Sequence, residues 1–151
     1  MNFLSEIGST LLDVVSKEVA DIVETGVKVL RLVADVVEGV AKKIGIIDSD
    51  EKTEDIGNKA LQLKEEGYEV EDFESFEAYK SYLDDFEPDP AKTQEISENV
   101  KIAKGLDLIK NQIEEQFDVQ MNKFLSEIAD NPEFYDSKRV ETYIKKFSEN
   151  G

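Results

Sequence analysis

Cysteine, histidine and tryptophan are absent from this chain of 151 residues, and proline occurs only three times. Without cysteine there is no disulfide framework, no thiolate nucleophile and no thiolate metal site, so the sequence carries no mark of a redox compartment. Without histidine the commonest general base and the usual zinc ligand are both missing. That excludes zinc hydrolases, Ser-His-Asp triads and di-iron sites of the Glu-x-x-His type. The missing tryptophan also removes the residue that most often stacks on sugars. Positive charge is scarce: 18 Lys and Arg stand against 35 Asp and Glu, a net charge of −17. Nucleic acid is therefore not an expected partner, and an electrostatic partner would be basic. Long apolar runs are lacking as well. The longest uncharged gap near the N-terminus is six residues, whereas a membrane-spanning helix needs about 20. No basic segment followed by an apolar one marks a secretory signal. A cytoplasmic location is the default expectation, with export by a dedicated secretion system compatible with it.

What is present is periodic. Hydrophobic residues make up 40% of the chain and recur at helical spacing, which argues for an all-α fold rather than disorder. Three stretches differ in character: residues 1–47 as an apolar amphipathic helix, residues 48–89 as an acidic, aromatic helical segment, and residues 90–151 as a long helix followed by a short one. Residues 1–47 hold five basic and seven acidic groups, a net of −2, so −15 of the −17 lies beyond them.

Read at every eleventh position, the first stretch gives Leu4, Val15, Gly26, Val37, then Gly8, Val19, Leu30, Ala41, then Leu11, Ile22, Val33, Ile44. All are apolar or glycine. Three turns of helix take close to eleven residues, so these rows predict one straight helix over residues 3–45, with Gly26 and Gly39 as the places where it could kink and Gly45 ending it. A strand over Val27 to Val33 is the rival reading, but alternation holds for only a few residues there. About 43 helical residues span about 65 Å, against a radius of gyration of about 15 Å for a compact chain of this size. The apolar stripe Leu4, Leu11, Val15, Val19, Ile22, Leu30, Val33, Val37 and Ile44 would then need cover from a second long helix, from another copy, from a partner or from lipid.

The second long helix is predicted from Pro90, capped by Asp89, to about Ile128. Ile96, Val100, Ala103, Leu106, Ile109, Ile113, Phe117, Met121, Phe124 and Ile128 form its stripe. A short last helix carries Val140, Ile144 and Phe147 and is capped by Ser137. Between the long helices, Glu65 to Asp89 holds eleven acidic residues, one basic residue (Lys80) and six of the thirteen aromatics. It reads as a small helical hairpin. One helix spans about residues 51–66, with Ile56, Ala60 and Leu63 inward, and ends at Gly67. The other, capped near Asp72 or Ser75, turns Phe76, Tyr79, Leu83 and Phe86 inward.

Chemical motifs fail one by one. Asp48-Ser49-Asp50 opens like a calcium loop, but Thr53 stands where glycine is needed and Lys59 where a bidentate Glu is needed. There is no phosphate-binding glycine loop and no Gly-x-Gly-x-x-Gly. Close carboxylate pairs such as Asp84 and Asp85 arise by chance in so acidic a chain. No catalytic residue, metal ligand or cofactor is expected, and the chain reads as not an enzyme.

In its eleven-residue period the first stretch resembles the lipid-surface helices of apolipoproteins and synucleins, and Val36 to Lys43 (VVEGVAKK) is similar to a synuclein segment. It departs from them in charge, since Asp13, Glu24 and Asp35 occupy the polar face where anion-binding helices carry lysine. Three roles follow. The foremost is a non-catalytic assembly subunit or adaptor that binds itself or another helical protein through residues 3–45. A membrane-active effector or pore-forming element using the same stripe on a lipid surface is the alternative. The third is an acidic inhibitor or immunity protein that meets a basic protein through residues 65–89, with Glu69, Glu71, Asp72, Glu74 and Glu77 as the contact set.

Overall fold

In the computed structural model, residues 14–131 and 133–150 are described, with side chains through Lys146, and they are all-helical, without a strand. The helices are α1 (Lys17–Thr25), α2 (Val27–Ile44), α3 (Thr53–Glu65), α4 (Phe76–Asp85), α5 (Pro90–Glu95), α6 (Glu98–Phe117), α7 (Met121–Asp130) and α8 (Ser137–Asn150). A 3-10 turn at Val70–Asp72 lies between α3 and α4.

Residues 3–13 of the expected helix lie outside the described residues, and over residues 14–45 two shorter helices stand in place of one. Gly26 takes φ 127° and ψ 158°, a conformation open to glycine alone; it ends α1 with an N–H bond to Val23 O and begins α2. At 9 and 18 residues, the two helices are about 14 and 27 Å long and fit within a compact chain. Their buried faces, Val19, Ala20 and Ile22 of α1 and Leu30, Val33, Val37 and Val40 of α2, belong to the chain's own core, while Val27 and Leu32 are exposed. Gly39 does not kink α2. Instead it lets α8 come close: a Cβ there would sit 2.2 Å from Ser137 Oγ, and that hydroxyl donates to Val36 O at 2.9 Å. Ser137 is therefore an interhelical tie rather than the cap of α8. Asp136 does the capping, its Oδ1 accepting the Arg139 N–H at 2.9 Å. Gly45, at φ 83°, ends α2 as expected, with Ile46 N–H bonded back to Ala41 O.

The second long helix is divided as well. Ile96 separates α5 from α6, whose N-cap is Ser97, and Asp118 ends α6 in the left-handed conformation at φ 53°. Even so, its stripe is buried as read, from Ile96 and Val100 through Ile113, Met121 and Ile128, with Phe117 only partly covered.

Helix α6 is the central element. It packs against α3 most closely, and also against α2, α1, α7 and α8, while α2 lies against α7 and α8. Glycine makes the α3 to α6 contact possible. A Cβ on Gly57 would lie 1.7 Å from Lys101 O, and one on Gly105 would lie 2.0 Å from Thr53 O. A single apolar core takes residues from all three sequence stretches, from Val14 to Ile144. Leu30, Val33, Val37 and Val40 are wholly buried, and each such side chain contributes about 1.5–3 kcal/mol gross.

Polar side chains tie the helix ends into this frame. Glu38 Oε1 accepts from the Thr53 backbone N–H at 2.7 Å and from its hydroxyl at 3.0 Å, so α2 caps α3. Asp107 Oδ1 accepts from Ser16 N–H at the start of α1, and Glu114 Oε2 from Met121 N–H at the start of α7. Under α5, Asn58 Nδ2 and Gln62 Nε2 both donate to Thr93 Oγ1 at 3.0 Å, Thr93 donates to Asp89 O, and Gln62 Oε1 accepts Asp89 N–H.

Candidate interaction surface

The residues named for the N-terminal stripe fall in three places. Leu4 and Leu11 lie outside the described residues. Val15, Val19, Ile22, Leu30, Val33 and Val37 are in the chain's own core, and Ile44 is partly covered beside it. The structure thus turns the stripe inward against α6, α7 and α8. The rule that failed is the link from unbroken period to unbroken rod.

The acidic segment is built differently. Helix α3 ends in a left-handed turn at Gly67 (φ 95°), where Gly67 N–H bonds to Lys64 O and Tyr68 N–H to Leu63 O, each at 3.0 Å. This reversal carries Tyr68 outward. Glu69 and Asp72 then cap the 3-10 turn reciprocally, and Ser75 caps α4 by accepting Ala78 N–H. Tyr79 and Leu83 face inward as the sequence suggests, while Phe76 and Phe86 are half-buried.

The result is an aromatic cluster set among carboxylates. Phe73 is its hub, with ring centroids 5.3 Å from Tyr79, 5.5 Å from Tyr82 and 6.5 Å from Tyr68. Tyr68 and Tyr82 lie 5.3 Å apart at 41% and 42% exposure, far more open than their spacing within a core cluster would suggest. In the same segment Glu66, Glu69, Glu71, Asp72, Glu74 and Glu77 are all exposed. The nearby cations are already committed. Lys80, the single basic residue of the segment, donates to Glu51 at 2.8 Å and to Asp84 at 2.7 Å, and Lys64 pairs with Glu69. Among the described residues no ion pair involves Glu71, Asp72, Glu74 or Glu77. Burial, then the Glu71 and Glu69 charges, push the Tyr79 phenol well above its ordinary value. The Tyr68 hydroxyl beside it, then burial, raise Tyr82 too. The exposed rings of Tyr68 and Tyr82 are open to a cation, while Tyr79 is buried. Tyr68 and Tyr82 were missing from the sequence reading. The available signal was that Tyr82 falls off the face shared by Phe76, Tyr79 and Leu83.

Two further hollows are open to solvent. A cleft of about 420 Å³ between α2, α3 and the start of α6 is lined by Arg31, Asp35, Glu38, Lys42, Glu54 and Glu98. Its charges are largely paired with one another, Arg31 with Glu98 and Lys42 with Glu38. Burial, then Glu38, raises the Asp35 carboxyl, and burial, then Glu98, raises Glu54. A groove of about 390 Å³ beside α7 and α8 is lined by Val119, Phe124, Tyr135 and Tyr143, with Asp118, Gln120, Lys123 and Glu127.

Among the described residues no group of three or more acidic side chains is arranged to hold a metal ion, and no helix is long and apolar enough to cross a membrane. Comparison with protein-family models, curated proteins and solved structures finds no match.

Proposed function

We propose that the chain is a non-catalytic helical interaction protein that meets a basic protein surface through the acidic aromatic face of residues 66–85. Because Val15, Val19, Ile22, Leu30, Val33 and Val37 of the N-terminal stripe lie in the core, we assign the binding role to this face instead. The observation that carries the reading is the exposed Tyr68–Tyr82 pair in a segment whose Glu69, Glu71, Asp72, Glu74 and Glu77 are all exposed, the last four of them in no ion pair among the described residues. Two exposed tyrosines supply contact area at low entropic cost and accept guanidinium or ammonium groups on their faces, each contact adding about 0.5–2 kcal/mol. The carboxylates speed encounter with a positive partner and reject a negative one.

The test separates this face from the general acidity of the chain. Binding of an arginine-rich helical peptide is compared between two variants, each lacking five acidic charges. One carries Gln or Asn at Glu69, Glu71, Asp72, Glu74 and Glu77, and the other carries them at Asp48, Asp50, Glu115, Asp130 and Glu133. The amides keep the acceptor oxygens that cap the 3-10 turn. Loss of affinity and of salt dependence is expected in the first variant only, with a further loss for Tyr82→Ala. Equal effects from both variants, or binding insensitive to salt, would defeat the reading.

A further inference from the structure

We propose that the groove beside α7 and α8 is a binding site for a small organic cation of the quaternary ammonium class. Three rings line it. Phe124 and Tyr143 lie near parallel, at 21° and 6.5 Å between centroids, and Tyr135 stands 6.4 Å from Tyr143 at 50°. Such faces carry the negative lobe of the ring quadrupole and attract a cation held against them. Asp118 and Glu127 put two negative charges in the lining against Lys123, with the Arg139 guanidinium held beyond it on Phe134, within a molecule whose whole field already draws cations. The groove volume of about 390 Å³ lies at the lower end of the range for small-molecule sites, which begins at about 300 Å³.

The polar chemistry narrows the class further. Burial, then the Glu127 carboxylate, raises the Tyr135 phenol above its ordinary value, which puts a negative charge beside that ring. A fully methylated nitrogen gains apolar contact with Val119 and the rings that a hydrated primary ammonium does not. The next ring along gives a precedent inside the molecule. Phe134 packs edge-on to Tyr135 at 4.8 Å and carries the Arg139 guanidinium over its face at 4.1 Å.

The probes are choline and its uncharged carbon isostere, dimethylbutanol, titrated into the full chain and followed by tyrosine ring resonances in NMR. Choline is expected to bind saturably and to shift Tyr135 and Tyr143, with the isostere about 3- to 30-fold weaker. Tyr143→Leu should weaken choline about 3- to 10-fold. Because that change touches a partly buried ring, Lys123→Glu on the exposed rim provides a second reading. It should tighten choline and leave the isostere unaffected. Equal affinity for choline and isostere, no saturable binding, or shifts confined to Tyr68 and Tyr82 would each overturn the proposal.

Discussion

Replacing Gly57 by alanine tests the packing that organises the fold, because two effects of opposite sign compete there. In an exposed helix the change from glycine stabilises by up to about 1 kcal/mol. At Gly57 the new Cβ would lie 1.7 Å from Lys101 O, 2.8 Å from Lys101 C and 2.7 Å from Gly105 N, all of them backbone atoms of α6. Backbone cannot rotate aside as a side chain can, so α3 and α6 must separate. Opening a packed interface by even ~0.5–1 Å forfeits a quarter to a half of its dispersion contacts, and overpacking of this kind costs about 1–3 kcal/mol or more. The contacts at risk include buried Ile56, Ala60, Ala103 and Leu106. With the cost at its upper end, Gly57→Ala should be net destabilising by about 2 kcal/mol, lowering the melting temperature by about 4–8 °C for a chain of this size. Thermal and urea unfolding followed by circular dichroism measure it. An unchanged or raised melting temperature would refute the close contact of α3 with α6.

Other perturbations probe different parts of the structure. Val33→Asp places a charge at a position with no solvent exposure and should cost more than about 4 kcal/mol, seen as loss of helical signal rather than dissociation of an assembly. Thr93→Val keeps the shape but removes the oxygen that accepts from Asn58 and Gln62. Asn58 then loses this acceptor and Gln62 keeps only its bond to Asn58 Oδ1, which should cost about 1–3 kcal/mol in urea unfolding. Glu54→Gln tests pH linkage. Burial, then the Glu98 charge, raises the Glu54 carboxyl above its ordinary 4.5, so the folded state binds this proton more readily than the unfolded state. This group therefore lowers stability at neutral pH and ceases to do so as pH falls through its raised value. Glu54→Gln should stabilise at neutral pH, with the advantage over the parent chain shrinking toward pH 4.5. An advantage that grows on acidification would show the sign to be wrong.

Helical periodicity revealed which residues are buried far better than where the helices end. Ile22, Leu30, Val33 and Val37 keep one phase because the break is the single residue Gly26, C-cap of one helix and N-cap of the next. A register count cannot detect a break of one residue. The break at Asp118, Val119 and Gln120 hides in the same way, since three residues are close to one turn and Met121 resumes the phase of Phe117. Caps set by local chemistry were legible: Asp89 before Pro90, Ser75 before α4, and the glycines at 45 and 67. Ser137 was not, because whether it caps or reaches Val36 O depends on α2 lying 101 residues away in sequence. The acidic face was visible as composition, but its exposed Tyr68–Tyr82 pair arises from the turn at Gly67 and the hub at Phe73, which bring together residues on separate elements.

The decisive measurement is native-state hydrogen exchange at the α2 amides of Val33 and Val37, followed over a wide range of protein concentration. If the stripe is buried by the chain's own α6, α7 and α8, protection will be high and independent of concentration, as a self-contained core requires. Protection that appears only as concentration rises, or only when a partner or lipid is added, would contradict it.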